Sequence, residues 1–302
     1  MTDKKTCIFT HLDLDGVVSY LTTTWFYPNI PFEIVPVRSA YEFRQIYLNW
    51  CLNHKPDEYE RIYILDLDVS GNEDLVDNSN FIIIDHHSTH EKTEYKHAKA
   101  FVKKYTSACK LIYKILSAKF PSTQLTPQQK TLIALTDDYD SYTLKSPLSK
   151  NLNTVYWSLT DNFNTFCKIF KRGFFGFSIQ QQSMIKIYQD SFNTYYNNIN
   201  EIYVGEICID DKSYKVCSLL ADKYINDLSD IFFISEQADV VILYNHKLNK
   251  VYIRRNKSCD LNVGKLCESW GGGGHEAAGG CPASEGFIEM SKSLKAKPLN
   301  NI

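Results

Sequence analysis

Up to about residue 140, apolar residues fall into short runs separated by longer amphipathic stretches. Cys7-Ile8-Phe9-Thr10, Phe32-Glu33-Ile34-Val35-Pro36-Val37, Arg61-Ile62-Tyr63-Ile64-Leu65 and Phe81-Ile82-Ile83-Ile84 read as strands. Val17 to about Phe26 and Tyr41 to Leu52 carry a helical repeat, as do residues 106–120 and 127–137. The last of these is entered through Thr126-Pro127, an N-cap and first-turn pair. Near-continuous apolar strands alternating with helices predict a parallel sheet covered on both faces.

Residues 178–198 form a long polar stretch with Ile, Met, Tyr and Phe at helical intervals, read as a connecting helix. From Ile202 the pattern shortens. Strands are predicted at 202–209, 214–220 and 231–234, then a hairpin of 239–245 with 250–255 turning at Asn245–Asn249, and a helix at 262–269. The expected fold class is α/β. A mostly parallel N-terminal domain spans 1–177, a helical linker 178–200, and a smaller mixed α/β domain 201–302.

Charge narrows the function classes. With 33 Lys and Arg against 35 Asp and Glu, the net charge is -2, which argues against a surface built to grip long duplex nucleic acid. No apolar run reaches the roughly 18–20 residues of a spanning helix, so no membrane partner is expected. The segment MTDKKTCIFTHLDLDG lacks the features of a secretory signal, and a cytoplasmic protein is expected. The nine Cys are scattered without a CxxC pair, and read as reduced apolar residues, not zinc ligands.

Acidic residues gather where the strands end, the edge at which parallel sheets bind ligands. His11, Asp13 and Asp15 lie in HLDLDG. Asp66 and Asp68 follow the third run. Asp85-His86-His87 closes the fourth, and Thr136-Asp137-Asp138-Tyr139-Asp140 ends a helix. Massed carboxylates and imidazoles repel one another unless positive charge sits among them, and a pair of divalent metals supplies it. Mixed Asp and His ligation suits Mn, Fe, Co or Zn, and carboxylates also suit Mg. Near the C-terminus, Gly271-Gly272-Gly273-Gly274 offers backbone amides to an anion, with His275 as a side-chain donor. Residues 247–268 add six Lys and Arg against two acids.

HLDLDG, the Asp66 strand end, DHH at 85–87, the acidic turn near 138 and GGGGH at 271–275, taken in this order, resemble the DHH phosphoesterase superfamily. GGGGHEAAGG places the resemblance in the branch with a DHH-associated C-terminal domain. The resemblance implies that His11 and Asp13 hold one metal, Asp15 and His86 the other, and that Asp66 bridges them. Asp137, Asp138 and Asp140 compete for the last ligand position. Asp138 is favoured, four residues before Tyr142. His87 would orient a phosphate oxygen, with Asp85 supporting the histidines, and Asp68 lies outside the ligand set. Gly272, Gly273, Gly274, His275 and Arg254 would bind substrate, with Arg255 as the alternative to Arg254.

The resemblance thus implies a hydrolase with two divalent ions, Mn2+ first, Mg2+ or Co2+ as alternatives. The expected partner is a short single-stranded oligonucleotide, or a linear or cyclic dinucleotide, held between the two domains; a bisphosphorylated nucleotide is a further option, and a homodimer is compatible with the sequence. Two other readings compete. DLDGVVS at 13–19 resembles the nucleophile loop of haloacid-dehalogenase phosphatases, with Asp13 as nucleophile, Asp15 as acid and base, and Asp137-Asp138 on one Mg2+. A non-catalytic nucleotide-binding protein would keep the metal site without turnover.

Overall fold

A computed structural model describes residues 5–104, 106–274 and 276–299. The chain divides into two compact units between Lys186 and Ile187. In the first, β1 (Lys5–His11), α1 (Leu14–Phe26), β2 (Phe32–Val37), α2 (Ala40–Cys51), β3 (Tyr59–Leu65), α3 (Glu73–Val76), β4 (Phe81–Asp85) and β5 (Lys99–Val102) follow in order. Helices α4 (Ala108–Lys119), α5 (Pro127–Asp140), α6 (Pro147–Ser158) and α7 (Asn162–Phe170) come next. The five strands pair in the order β2-β1-β3-β4-β5, every pair parallel.

The strand sequences explain this sheet. Side chains alternate across it, and both faces are apolar. Ile8, Tyr63, Leu65 and Ile84 enter a core with α1, α4, α5, α6 and α7, while Cys7, Phe9, Ile62, Ile64 and Ile83 enter a second core with α2. The order has a functional consequence. After β1 the chain steps out to β2, then crosses back beyond β1 to β3, so loops diverge between β1 and β3 and open a crevice at their carboxyl ends. His11 ends β1, and Asp66 follows β3 directly.

The division between units falls inside α8 (Ile179–Asn197). Beyond it lie β6 (Glu201–Ile209), β7 (Lys212–Leu220), α9 (Ile225–Ser235), β8 (Val240–Asn245), β9 (Lys250–Arg255), α10 (Val263–Ser269), β10 (Gly273–Gly274), β11 (Ala278–Pro282), α11 (Glu285–Ser291) and β12 (Lys295–Pro298). They form one sheet in the order β10-β11-β9-β8-β7-β6-β12, antiparallel except for β7 with β8.

Two expectations need correction. Residues 231–234 are helical, within α9, and not a strand. A continuous apolar run fits a buried strand or a helix equally well, and here Leu228 and Phe232, one turn apart, are the buried pair that fixes the helix against β7 and β8. Helix α5 also runs on to Asp140 instead of stopping at residue 137.

Candidate metal centre

Backbone geometry at the end of β1 puts three ligand-type side chains in a tight turn. A side-chain carbon at Gly16 would lie 2.0 Å from the His11 carbonyl oxygen, so only glycine lets α1 start so close to the strand. Asp13 caps α1, accepting the Gly16 N–H at 2.9 Å, and its other oxygen lies 2.9 Å from His11 Nδ1. The His11 Nε2 lies 3.1 Å from the Arg38 carbonyl. A carbonyl can only accept, so the proton sits on Nε2, and Nδ1 is the nitrogen turned to Asp13 and, at 3.8 Å, to Asp66 Oδ2.

Asp66 stands at the centre. It is buried and its backbone is left-handed, with φ of 58°, a strained conformation for a residue with a side chain. Its Oδ1 is 3.1 Å from His86 Nε2. Its Oδ2 is buried without a hydrogen-bond partner. On the far side, Asp15 is 3.8 Å from His86 Nε2, and Asp140 Oδ2 is 3.6 Å from His86 Nδ1. Asp15 is anchored by the start of α4, where the N–H groups of Ala108 and Cys109 donate to its two oxygens at 2.6 and 3.0 Å. The positive end of the helix dipole adds to that anchoring.

His11, Asp13 and Asp66 therefore form one group of converging ligand atoms, and Asp15, His86 and Asp140 another, with Asp66 and His86 also grouped with Asp85 and His87. The electrostatics show a site that wants positive charge. Burial and the charges of Asp66 and Asp140 raise the Asp15 carboxyl well above its usual range. Burial, outweighing the attraction of His86, pushes Asp140 up to about 7. Burial opposes charge on the imidazoles, yet Asp13 and Asp66 push His11 up to about 12, and Asp66, Asp140 and Asp15 push His86 up to about 11. Asp66, despite its burial, is held below the usual carboxylate range by His11 and His86.

Two oxygens, Asp66 Oδ2 and Asp140 Oδ2, are buried without hydrogen-bond partners. Such atoms are costly unless something compensates them. With a mixed oxygen and nitrogen donor set around them, the residues fit divalent cations.

The sequence expectation of Asp138 as ligand does not match this geometry. Its carboxylate accepts from Thr143 Oγ1 at 2.5 Å and from the N–H groups of Lys145 and Ser146 at 2.9 and 3.0 Å. It thereby ties down a loop in which Tyr142 and Leu144 are left-handed. Successive helical residues turn by about 100°, so Asp138 and Asp140 face different ways, and Asp140 faces the cluster. Asp137 is also engaged elsewhere, with Ser107 N–H at 3.0 Å and Lys110 Nζ at 2.5 Å. The two carboxylates that the aspartyl-phosphate reading assigns to Mg2+ thus serve other partners.

Asp85 is fully buried, and its oxygens lie 2.7 Å from Nδ1 of His87 and 2.7 Å from Nδ1 of His90. His90 is absent from the residues that the sequence motifs single out, although a third histidine one short turn after His87 is an available signal. Asp68 accepts from Ser70 and Thr89 and converges with Asp85 and His90 in a further group of ligand-type atoms, which shares no residue with the groups of His11, Asp13 and Asp66 or of Asp15, His86 and Asp140.

In the second unit, Arg254 Nε donates to Asn226 Oδ1 at 2.9 Å and its Nη1 to the Gly279 carbonyl at 3.3 Å. Arg255 instead braces the following loop through the carbonyls of Glu276, Asn256 and Cys259. The glycine run is not a nest of bare amides. Gly271 and Gly272 N–H groups donate to the carbonyls of Glu268 and Cys267, closing α10, and Gly273 and Gly274 pair with Gly280 and Gly279. A side-chain carbon at Gly272 would lie 2.2 Å from the Gly280 carbonyl oxygen, so close packing alone explains that glycine. His275 lies outside the described residues.

Residues 5–136 match the DHH family, N-terminal domain. No curated protein matches. Among solved structures, the pGpG-specific phosphodiesterase PggH from Vibrio cholerae is similar at a TM-score of 0.55 and 15% identity, over 96% of each chain. The DHH domain of a protein described as a ribosomal-protein family member gives 0.65 and 15%, over 96% of this chain and 85% of that one. Mn2+-bound RecJ from Thermus thermophilus gives 0.58 and 12%, over 96% of this chain and 51% of that one. At these identities the likeness speaks for the fold, a parallel-sheet unit followed by a second, mixed sheet. Residues 5–136, with their motifs seated at the carboxyl ends of that sheet, form a DHH-family N-terminal domain.

Proposed function

We propose that this protein is a two-metal phosphoesterase acting on short oligonucleotides or dinucleotides. The observation that carries the reading is Asp66, a buried carboxylate set between two ligand groups with one oxygen toward each. His11 and Asp13 would hold one ion, Asp15, His86 and Asp140 the other, and Asp66 both. Ions bound there supply Lewis-acid polarisation of a phosphoryl group and activation of water, for which Mn2+ is the favoured metal. The protein's own part is to fix the donors. The α4 amides hold Asp15, the Arg38 carbonyl sets the His11 tautomer, and Asp85 orients His87 toward a phosphoryl oxygen. In the second unit, Arg254, Gly273, Gly274 and His275 are the proposed phosphate contacts; the Gly272 N–H is taken by the Cys267 carbonyl, and Arg255 is occupied by its own loop.

The short-substrate reading is supported by the net charge of -2, which argues against a long basic track, and by the likeness to a phosphodiesterase named for pGpG. Hydrolysis rates for strands from two to about twenty-five nucleotides, at fixed ionic strength with Mn2+, test it. Specificity constants that fall with length are expected. A rise with length and a steep salt slope would indicate a long-strand exonuclease.

A further inference from the structure

We propose that His90 and Tyr95 are positioning residues for His87, acting through the carboxylate of Asp85. The role in turnover rests on the phosphoesterase reading above, whereas the hydrogen-bonded chain itself does not.

Asp85 ends β4, where its carbonyl accepts the Lys103 N–H at 3.0 Å and its backbone pairs with Val102 of β5. That fixes the main chain but leaves the side chain free to rotate. Paired with His87 alone, the carboxylate would keep one bare oxygen in a fully buried position, which is costly. His90 takes that oxygen. A short 3-10 turn at Ser88–Lys92 brings it there, with the His90 N–H on the His87 carbonyl at 3.1 Å, so the two rings bind the carboxylate through different oxygens.

His90 is fully buried, and its Nε2 lies 2.7 Å from the Tyr95 hydroxyl. Tyr95 packs against the core beneath α2, with its ring edge-on to His90. A continuous chain thus runs from that core through Tyr95, His90 and Asp85 to His87. An ionised carboxylate only accepts, so both rings carry a proton on Nδ1. The chain fixes the His87 tautomer and ring direction, and sets Nε2 as the atom with which His87 meets a substrate. His90 converges with Asp68 and Asp85 in a separate group, its Nδ1 3.8 Å from Asp68 Oδ1; neither it nor Tyr95 belongs to the groups of His11, Asp13 and Asp66 or of Asp15, His86 and Asp140, so changing them removes no proposed metal ligand.

The test uses the full-length protein with Mn2+ and a 5′-phosphorylated dinucleotide. His90→Phe should lower kcat about 10–100-fold, the usual cost of losing an outer partner, with KM and Mn2+ affinity within about threefold of wild type. His90→Gln, which restores a donor, should recover part of that loss. The hydrogen-bonded Nδ1 proton of His87, followed by NMR in histidine-labelled protein, should shift or broaden in His90→Phe. Should that variant not fold, Tyr95→Phe removes a single oxygen, and should move the same signal and lower kcat about fivefold. Wild-type kcat with an unmoved His87 signal would overturn the proposal, as would a kcat loss matched by an equal loss of Mn2+ affinity. The NMR readout needs no turnover, so a wild-type protein that fails to hydrolyse the dinucleotide would defeat the phosphoesterase reading while the His87 signal still judges the brace.

Discussion

Asp66 Oδ1 lies 3.1 Å from His86 Nε2, while its Oδ2 faces His11 Nδ1 at 3.8 Å. One buried carboxylate therefore addresses both halves of the site, from a strained backbone that the end of β3 holds in place. Asp66→Asn keeps the shape and removes the charge. It should cost more than the roughly 10–100-fold typical of outer partners, in both turnover and Mn2+ affinity, as read by steady-state kinetics and calorimetry.

Asp138 and Asp140 should separate cleanly. Asp140→Asn should weaken Mn2+ binding and leave the fold intact. Asp138→Asn should instead lower stability by about 1–3 kcal/mol, because its carboxylate holds Thr143, Lys145 and Ser146. Denaturant unfolding beside metal titration distinguishes the two.

Ala108→Pro probes the anchoring of Asp15. Position 108 is the first residue of α4, where proline suits the helix, and Ser107 already has φ -70° and ψ 158°, as a residue before proline requires. The substitution removes the N–H that reaches Asp15 Oδ2 and sets the proline ring carbons beside that oxygen in a buried position. Helicity should be unchanged by circular dichroism, while Mn2+ affinity falls roughly tenfold or more.

Metal-free protein should lose stability as pH rises above about 6. The carboxyl of Asp140 titrates near 7 when folded against an ordinary 3.8, so between those values the folded state holds a proton the unfolded chain has lost, and stability falls as pH rises. His11 and His86, raised to about 12 and about 11 from 6.5, stabilise fully below 6.5 and lose that contribution as pH climbs toward the folded values. Asp66 and Asp85, both lowered, act in the acid range instead. Melting temperature in chelator should drop by several degrees from pH 6 to pH 9, and Mn2+ should restore it most at the alkaline end, where it replaces protons.

Much of this is legible in the sequence because the sheet is buried on both faces. Runs such as Ile62-Tyr63-Ile64-Leu65 admit few alternatives, and the polar residue that ends each run marks the carboxyl edge. The α5 carboxylate that faces His86 is not legible. It depends on helical phase, and three more residues of helix turn Asp140, not Asp138, toward His86. The segment at 231–234 misleads for a related reason, since an unbroken apolar run carries no period. His90 escapes a reading of motifs because its importance lies in a buried carboxylate with two oxygens to satisfy, a fact of packing and not of spacing.

The proposed role of Asp66 is to join two ions in one hydrolytic site. The most direct measurement is Mn2+ stoichiometry, by calorimetry on metal-stripped protein, taken together with hydrolysis of a 5′-phosphorylated dinucleotide, for wild type and Asp66→Asn. Two Mn2+ per wild-type chain with Mn2+-dependent turnover are expected, with loss of both tight binding and turnover in the variant. Wild-type hydrolysis that persists in excess chelator after metal removal, or an Asp66→Asn protein that turns over normally, would contradict it.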